Sequence, residues 1–171
     1  MKRTIRENCF ETNSSSMHTL VIRNKESAYK EDPVINGLVM RVELQDYSSE
    51  FHNELTTVKE KLDYVITYLI VKYHGEPYLD EWDRDDRKEY IEDFLNEDYY
   101  YRDLIQMIKD KVGVEKLKVR FGLGCTDAFS LFDHQTRPDP NYDGNPLDEL
   151  SDEEIVDFIF NPRAVLLLER D

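Results

Sequence analysis

Cysteine is almost absent: Cys9 and Cys125 are the two in 171 residues. So small a supply excludes the disulfide framework of small secreted domains and points to a reducing compartment. Long hydrophobic runs are missing as well. No segment approaches bilayer-spanning length, and the basic start Met1, Lys2, Arg3 is not followed by the apolar stretch of a secretion signal, so the chain is expected to be soluble and cytoplasmic. There is no internal repeat and no low-complexity segment. Basic residues are the third shortage, with 22 Lys and Arg against 37 Asp and Glu and a net charge of −15. That balance disfavours tight, sequence-independent duplex binding over the whole surface, because such binding draws its energy from Lys and Arg displacing phosphate counterions.

Core-forming residues, by contrast, are plentiful. Hydrophobic side chains make up 40% of the chain, among them 8 Phe and 11 Tyr. Residues 1–171 therefore suit a single domain that buries roughly 70% of its unfolded surface without metal or disulfide. The 35% of charged residues belongs to the surface. An acidic surface serves solubility, or imitates nucleic acid towards a basic partner. The charge is unevenly spread: Lys2, Arg3, Arg6 and Arg23 outnumber Glu7 and Glu11 in residues 1–23, a net of +2 that leaves −17 for the rest.

Periodicity predicts an α+β fold, with one mixed sheet of about five or six strands and about four packed helices. Residues 3–10 and 17–23 read as an N-terminal β-hairpin around a polar turn. An Asn36-Gly37 turn signal precedes a strand in which Leu38, Met40, Val42 and Leu44 alternate with Val39, Arg41 and Glu43. Thr57 and Glu60 form a capping box for the main helix, residues 57–73, with Val58, Leu62, Val65, Ile66, Leu69 and Ile70 at helical spacing. Residues 80–98 carry ten carboxylates against three bases. One short helix is expected around Tyr90, Ile91, Phe94 and Leu95, and another over about 99–112, stopped by Gly113. Leu117, Val119 and Phe121 alternate with Lys116, Lys118 and Arg120, a strand with three cations on its outer face. Ser151 and Glu154 cap a further helix, and the unbroken apolar run 164–168 predicts a central strand buried on both faces.

Candidate chemistry gathers at the N-terminal turn. Asn13, Ser14, Ser15 and Ser16 offer hydroxyls and backbone N–H groups of the kind that hold phosphate, and Arg6 adds a charged fork. His18 shares a strand face with Leu20 and Ile22, so it is either a packed core histidine or a general acid/base beside the turn. Cys9, opposite His18 in such a hairpin, lacks a glycine-framed nucleophile motif. Elsewhere, Asp139, Asn141, Asp143 and Gly144 imitate half of a calcium loop but meet Leu150 where the last carboxylate should stand. His134 and Thr136 form one H-x-T pair where a two-histidine phosphodiesterase needs two. The acidic positions 80–86 read as a solvated face. No metal site and no cofactor is expected.

Arg6, Phe10, Glu11, Thr12, Asn13, Ser14, Ser15, Ser16 and His18 stand in an order that resembles an N-terminal signature of accessory proteins from phages and mobile elements of Gram-positive bacteria. Some of these resemble type II anti-CRISPR proteins, inhibitors of RNA-guided DNA nucleases. The resemblance spans residues 1–23. It implies a protein that contacts a host nuclease, its guide RNA or both, and picks out Arg6, Glu11, Asn13, Ser14, Ser15, Ser16 and His18 without fixing their individual roles; the residues themselves put Arg6, Asn13, Ser14, Ser15 and Ser16 towards phosphate or RNA and leave Glu11 and His18 as the candidates for catalysis. The rival from the residues themselves is a small metal-independent enzyme acting on a phosphorylated or nucleotide substrate, a ribonuclease included, with His18 as acid/base.

Overall fold

A helix whose flanks are both apolar must be covered on both sides, and helix α1, Val58–His74, is such a helix: every side chain from 61 to 71 is buried. The computed structural model describes residues 16–27, 30–47, 54–74, 84–97, 101–122, 132 and 145–170. The helix starts at the expected capping box. Thr57 Oγ1 accepts from Glu60 N at 3.1 Å, and Glu60 Oε2 accepts from Thr56 N and Thr57 N at 2.9 Å each.

Among the described residues six strands form two sheets of three. In the first, β6 (Ala164–Arg170) lies between β1 (Ser16–Ile22) and the short β4 (Glu54–Leu55), antiparallel to both. Ala164, Val165 and Leu166 are all buried although they alternate between faces, as befits a middle strand. In the second sheet, β3 (Val39–Leu44) lies between β2 (Val34–Asn36), antiparallel, and β5 (Lys116–Phe121), parallel. The β2–β3 turn is Gly37-Leu38, with Gly37 at φ +61°, a conformation that glycine adopts without steric cost.

The α+β class predicted from periodicity is the one observed, but the predicted single sheet is two. The reason lies in α1. Positions 61 and 63 point about 200° apart on a helix, and each reaches a different sheet. Lys61 Nζ donates to the carbonyls of Asn161 and Ala164 at 2.7 and 3.1 Å, at the start of β6. Asp63 Oδ1 accepts from the Glu43 N–H of β3 at 3.0 Å, and Oδ2 from Lys59 Nζ at 2.6 Å. Helix α1 is thus bonded to both sheets, which share no strand pairing among the described residues. The buried side chains still form one contiguous cluster, from Met40 and Val42 of the second sheet to Leu166 of the first. Strand β1 pairs with β6; the expected partner, residues 3–10, lies outside the described residues.

Three more helices complete the described fold. Helix α2, Arg84–Glu97, packs along β5, with Ile91, Phe94 and Leu95 buried. Helix α3, Arg102–Val112, ends at Gly113 in the left-handed region at φ +78°, whose N–H donates to Lys109 O. Helix α4, Asp152–Phe160, starts from the expected Ser151 and Glu154 capping box. No helix among the described residues is long and apolar enough to cross a membrane.

Candidate functional site

His18 sits near the start of β1, opposite Leu168 of β6, and its ring is 6% exposed. The strand alternation that put it on the apolar face delivers it into an aromatic nest. Its ring meets Tyr64 edge-on at a centroid distance of 5.6 Å and Phe132 at 6.0 Å, while Tyr47 stands edge-on to Tyr64 at 4.9 Å. His18 Nδ1 lies 2.8 Å from the Tyr64 hydroxyl, and Asn145 Nδ2 donates to the same hydroxyl at 2.8 Å.

Asn145 Oδ1 accepts from Leu147 N at 3.0 Å, so the amide nitrogen is the group facing Tyr64. The tyrosine oxygen thus accepts from Asn145 and shares a second hydrogen bond with His18 Nδ1, whose direction follows the imidazole tautomer. Burial, against the Asn145 hydrogen bond and with the Asp148 charge in support, raises the Tyr64 pKa far above the ordinary phenol value, so the hydroxyl stays protonated.

The same face of α1 carries the network outward at intervals of one helical turn. Tyr68 OH donates to Asp148 Oδ1 at 2.6 Å, Lys72 Nζ reaches that oxygen at 2.6 Å, and Asp148 Oδ2 accepts from Asn145 N at 3.1 Å. Tyr64, Tyr68 and Lys72 together hold the 145–148 turn against the helix. Sequence reasoning picks out none of these partners. The spacing of 64, 68 and 72 is visible in the chain, but nothing local marks a turn eighty residues away as its counterpart.

Of the residues singled out in the sequence, the structure brings His18 to a defined seat. Ser16 opens β1 opposite Arg170. Arg6, Glu11, Asn13, Ser14 and Ser15 lie outside the described residues, as do Cys9, His134, Thr136 and the 139–144 loop. Asp85 and Asp86 fall on the first turn of α2. Among the described residues, no three His, Cys, Asp or Glu side chains come together in a metal-binding group.

A second feature lies on the outer face of the β2–β3–β5 sheet. Lys116, Lys118 and Arg120 are exposed while Leu117, Val119 and Phe121 are buried, which is the alternation the sequence predicts. Exposed Arg41 of β3 stands beside Lys118 in the parallel register. The inner face of that sheet is closed by α1 and the free edge of β5 by α2. Asn96 pairs with the β5 backbone in the manner of a strand, Nδ2 donating to Leu117 O at 2.9 Å and Oδ1 accepting from Leu117 N at 3.0 Å. Glu92 Oε1 accepts from Val119 N at 2.9 Å.

Two buried charges flank the core. Burial pushes the Asp63 carboxyl up to about 6, against the pull of Lys59 and the Glu43 N–H. Burial alone would lower Lys59, but Asp63, Glu43 and Glu31 outweigh it and hold the ammonium above its ordinary value. Lys61, bonded to carbonyls, is brought down to about 8 by burial, with Glu60 and Asp157 opposing. Comparison with protein-family models, curated proteins and solved structures found no match to this chain.

Proposed function

We propose that the chain is an accessory protein of a phage or mobile element that works in the host cytoplasm as an inhibitor of an RNA-guided nuclease, acting by occupancy of the nuclease, its guide RNA or both. The resemblance of residues 6–18 to such proteins supplies the target. The observation that favours occupancy over turnover is the seat of His18. A general acid/base must reach a substrate proton, whereas this imidazole is 6% exposed, ringed by Tyr64 and Phe132, with Nδ1 already hydrogen-bonded to the Tyr64 hydroxyl. Arg6, Asn13, Ser14, Ser15 and Ser16 are the proposed phosphate contacts of the N-terminal segment, and the acidic remainder is suited to the positive channel of such a nuclease.

The test is affinity capture of the tagged chain from host lysate, with and without ribonuclease treatment, beside a cleavage assay of the captured nuclease. The expected result is an inhibited nuclease–RNA complex, with Arg6→Ala weakening it by about 1.5–3 kcal/mol, the scale of a charge-assisted hydrogen bond. Capture of no macromolecule, together with turnover of a phosphorylated compound that His18→Ala abolishes at unchanged melting temperature, would return the enzyme as the correct alternative.

A further inference from the structure

The outer face of the β2–β3–β5 sheet concentrates the charge that the chain otherwise lacks. Lys116, Lys118 and Arg120 project from one side of β5, and Arg41 projects beside Lys118 from β3, all four exposed. Among the described residues none of them lies in an ion pair. Glu43, the carboxylate in the same rows, is drawn towards Lys59 of α1 at 3.9 Å. Between the strands runs an open groove of about 280 Å³ lined by Val34, Asn36, Val39, Arg41 and Lys118. In a chain of net charge −15, such a face is an island of positive potential with a partly apolar floor.

We infer that this face is a binding site for one unpaired strand of nucleic acid, held through its phosphodiesters along β5 with the groove beneath its sugars. Successive cations on β5 are two strand residues apart, about 6.6 Å, comparable with the distance between neighbouring phosphates of an extended single strand. Arg41 widens the row to a two-strand cradle and brings a fork able to grip one phosphate by two hydrogen bonds. The rows that form the face, Val34 and Asn36 on β2, Val39 to Glu43 on β3 and Lys116 to Arg120 on β5, present no aromatic ring for base stacking. Recognition is therefore of backbone, not of base. A duplex fits less well, because its doubled charge density meets more of the repulsion of a chain of net charge −15. The inference does not depend on the nuclease as target, and it rests on residues other than those of the N-terminal turn.

The experiment is fluorescence anisotropy of a labelled oligouridylate of about twelve nucleotides with the full chain. With four cations engaged, the single-strand relation of about −0.7 per contact predicts a log–log salt slope near −2.8, about a 50-fold loss of affinity between 50 and 200 mM salt. In the double variant Arg41→Ala, Lys118→Ala the slope should fall to about −1.4, roughly a 7-fold loss over the same range. Both positions are exposed, so an unchanged melting temperature accompanies the expected result. An oligothymidylate of equal length should bind within a few-fold of the RNA. A flat salt response, an unchanged slope in the double variant, tighter binding of the matching duplex, or equal binding of a polyglutamate peptide would each overturn the inference. Nuclease inhibition is measured on the same preparations: inhibition without strand binding overturns this site alone, whereas strand binding at the expected slope with no nuclease captured overturns the proposed function alone.

Discussion

The two sheets have three strands each and use their faces in opposite ways. In β1–β6–β4, the middle strand opens with three consecutive buried residues, and Val165 is buried although it lies outside the cluster that contains Leu166. In β2–β3–β5, alternate residues of β3 and β5 are buried and the others face outward, Arg41, Lys116, Lys118 and Arg120 among them. The first sheet is thus buried on both faces where β6 begins, and opens to solvent at its margins, Ile22 and Glu54. The second holds the core with one face and leaves the other for a partner. Helix α1 is bonded to both, with Lys61 towards the first sheet and Asp63 towards the second.

The sharpest way to break this contrast is in the middle of the first sheet. Leu166, fully buried and paired with Leu20 and Leu55, should cost about 2–5 kcal/mol when cut to alanine, through lost transfer energy and the cavity left behind. Denaturant unfolding followed by circular dichroism measures it. A cost below about 1 kcal/mol would mean that β6 is not an anchor of the fold.

Next in size is a pH dependence of opposite sign on the two sides of α1. The Asp63 pKa is raised in the folded chain, so its contribution to stability is whole below the ordinary value of 3.8 and is lost as pH rises through about 6. A carboxyl displaced that far loses about 2–3 kcal/mol across the window, and Asp63→Asn should remove the dependence. Lys61 is lowered instead. The unfolded chain keeps its proton longer, so stability is penalised below about 8 and recovers as pH climbs towards 10.5. Lys61→Met should flatten that alkaline limb and leave the acid limb as it is. Unfolding free energies across the pH range, measured for both variants, decide the matter. Identical profiles for wild type and Asp63→Asn between pH 4 and 7 would contradict a desolvated carboxyl.

How much of this was legible depends on how local the signal is. Both capping boxes, at Thr57 and at Ser151, were readable because a cap is settled within four residues. The outward cations of β5 were readable because a strand alternates with period two. The split into two sheets was not, since it follows from strand pairing, which is non-local. Strand β4, two residues long, carries no periodicity at all. The site divided along the same line. The apolar setting of His18 followed from its neighbours Leu20 and Ile22, whereas Tyr64, Phe132 and Asn145, which fix its hydrogen bonding and packing, come from 46 residues and more along the chain.

A smaller effect should come from the covered edge of the second sheet. Asn96→Ala removes both hydrogen bonds to the Leu117 backbone and should cost about 1–2 kcal/mol. It also exposes part of the β5 edge, so concentration-dependent self-association, seen by light scattering, should accompany the lower stability. A strictly monodisperse variant of unchanged stability would show that α2 does not guard this edge.

The smallest expected change is the most telling for the comparison. Lys118→Ala alters a side chain that is exposed, lies in no ion pair among the described residues, and stands on a strand whose buried face is elsewhere satisfied by Leu117 and Val119. Its effect on stability should fall within about 0.5 kcal/mol of zero. The sign is open to slight stabilisation, because Arg41 is its neighbour in the parallel register and like charges side by side on a strand face repel. A chain selected only for stability would have no reason to keep two such cations adjacent. The arrangement has a physical rationale if an anion completes it. Stability measured at low and at 200 mM salt sharpens the point: relief of the Arg41–Lys118 repulsion should make the variant relatively more stable at low salt, with the gain shrinking as salt screens the pair. A loss above about 1 kcal/mol, independent of salt, would instead make Lys118 a structural residue and remove the distinction between a sheet whose middle strand opens buried on both faces and one that keeps a face in reserve.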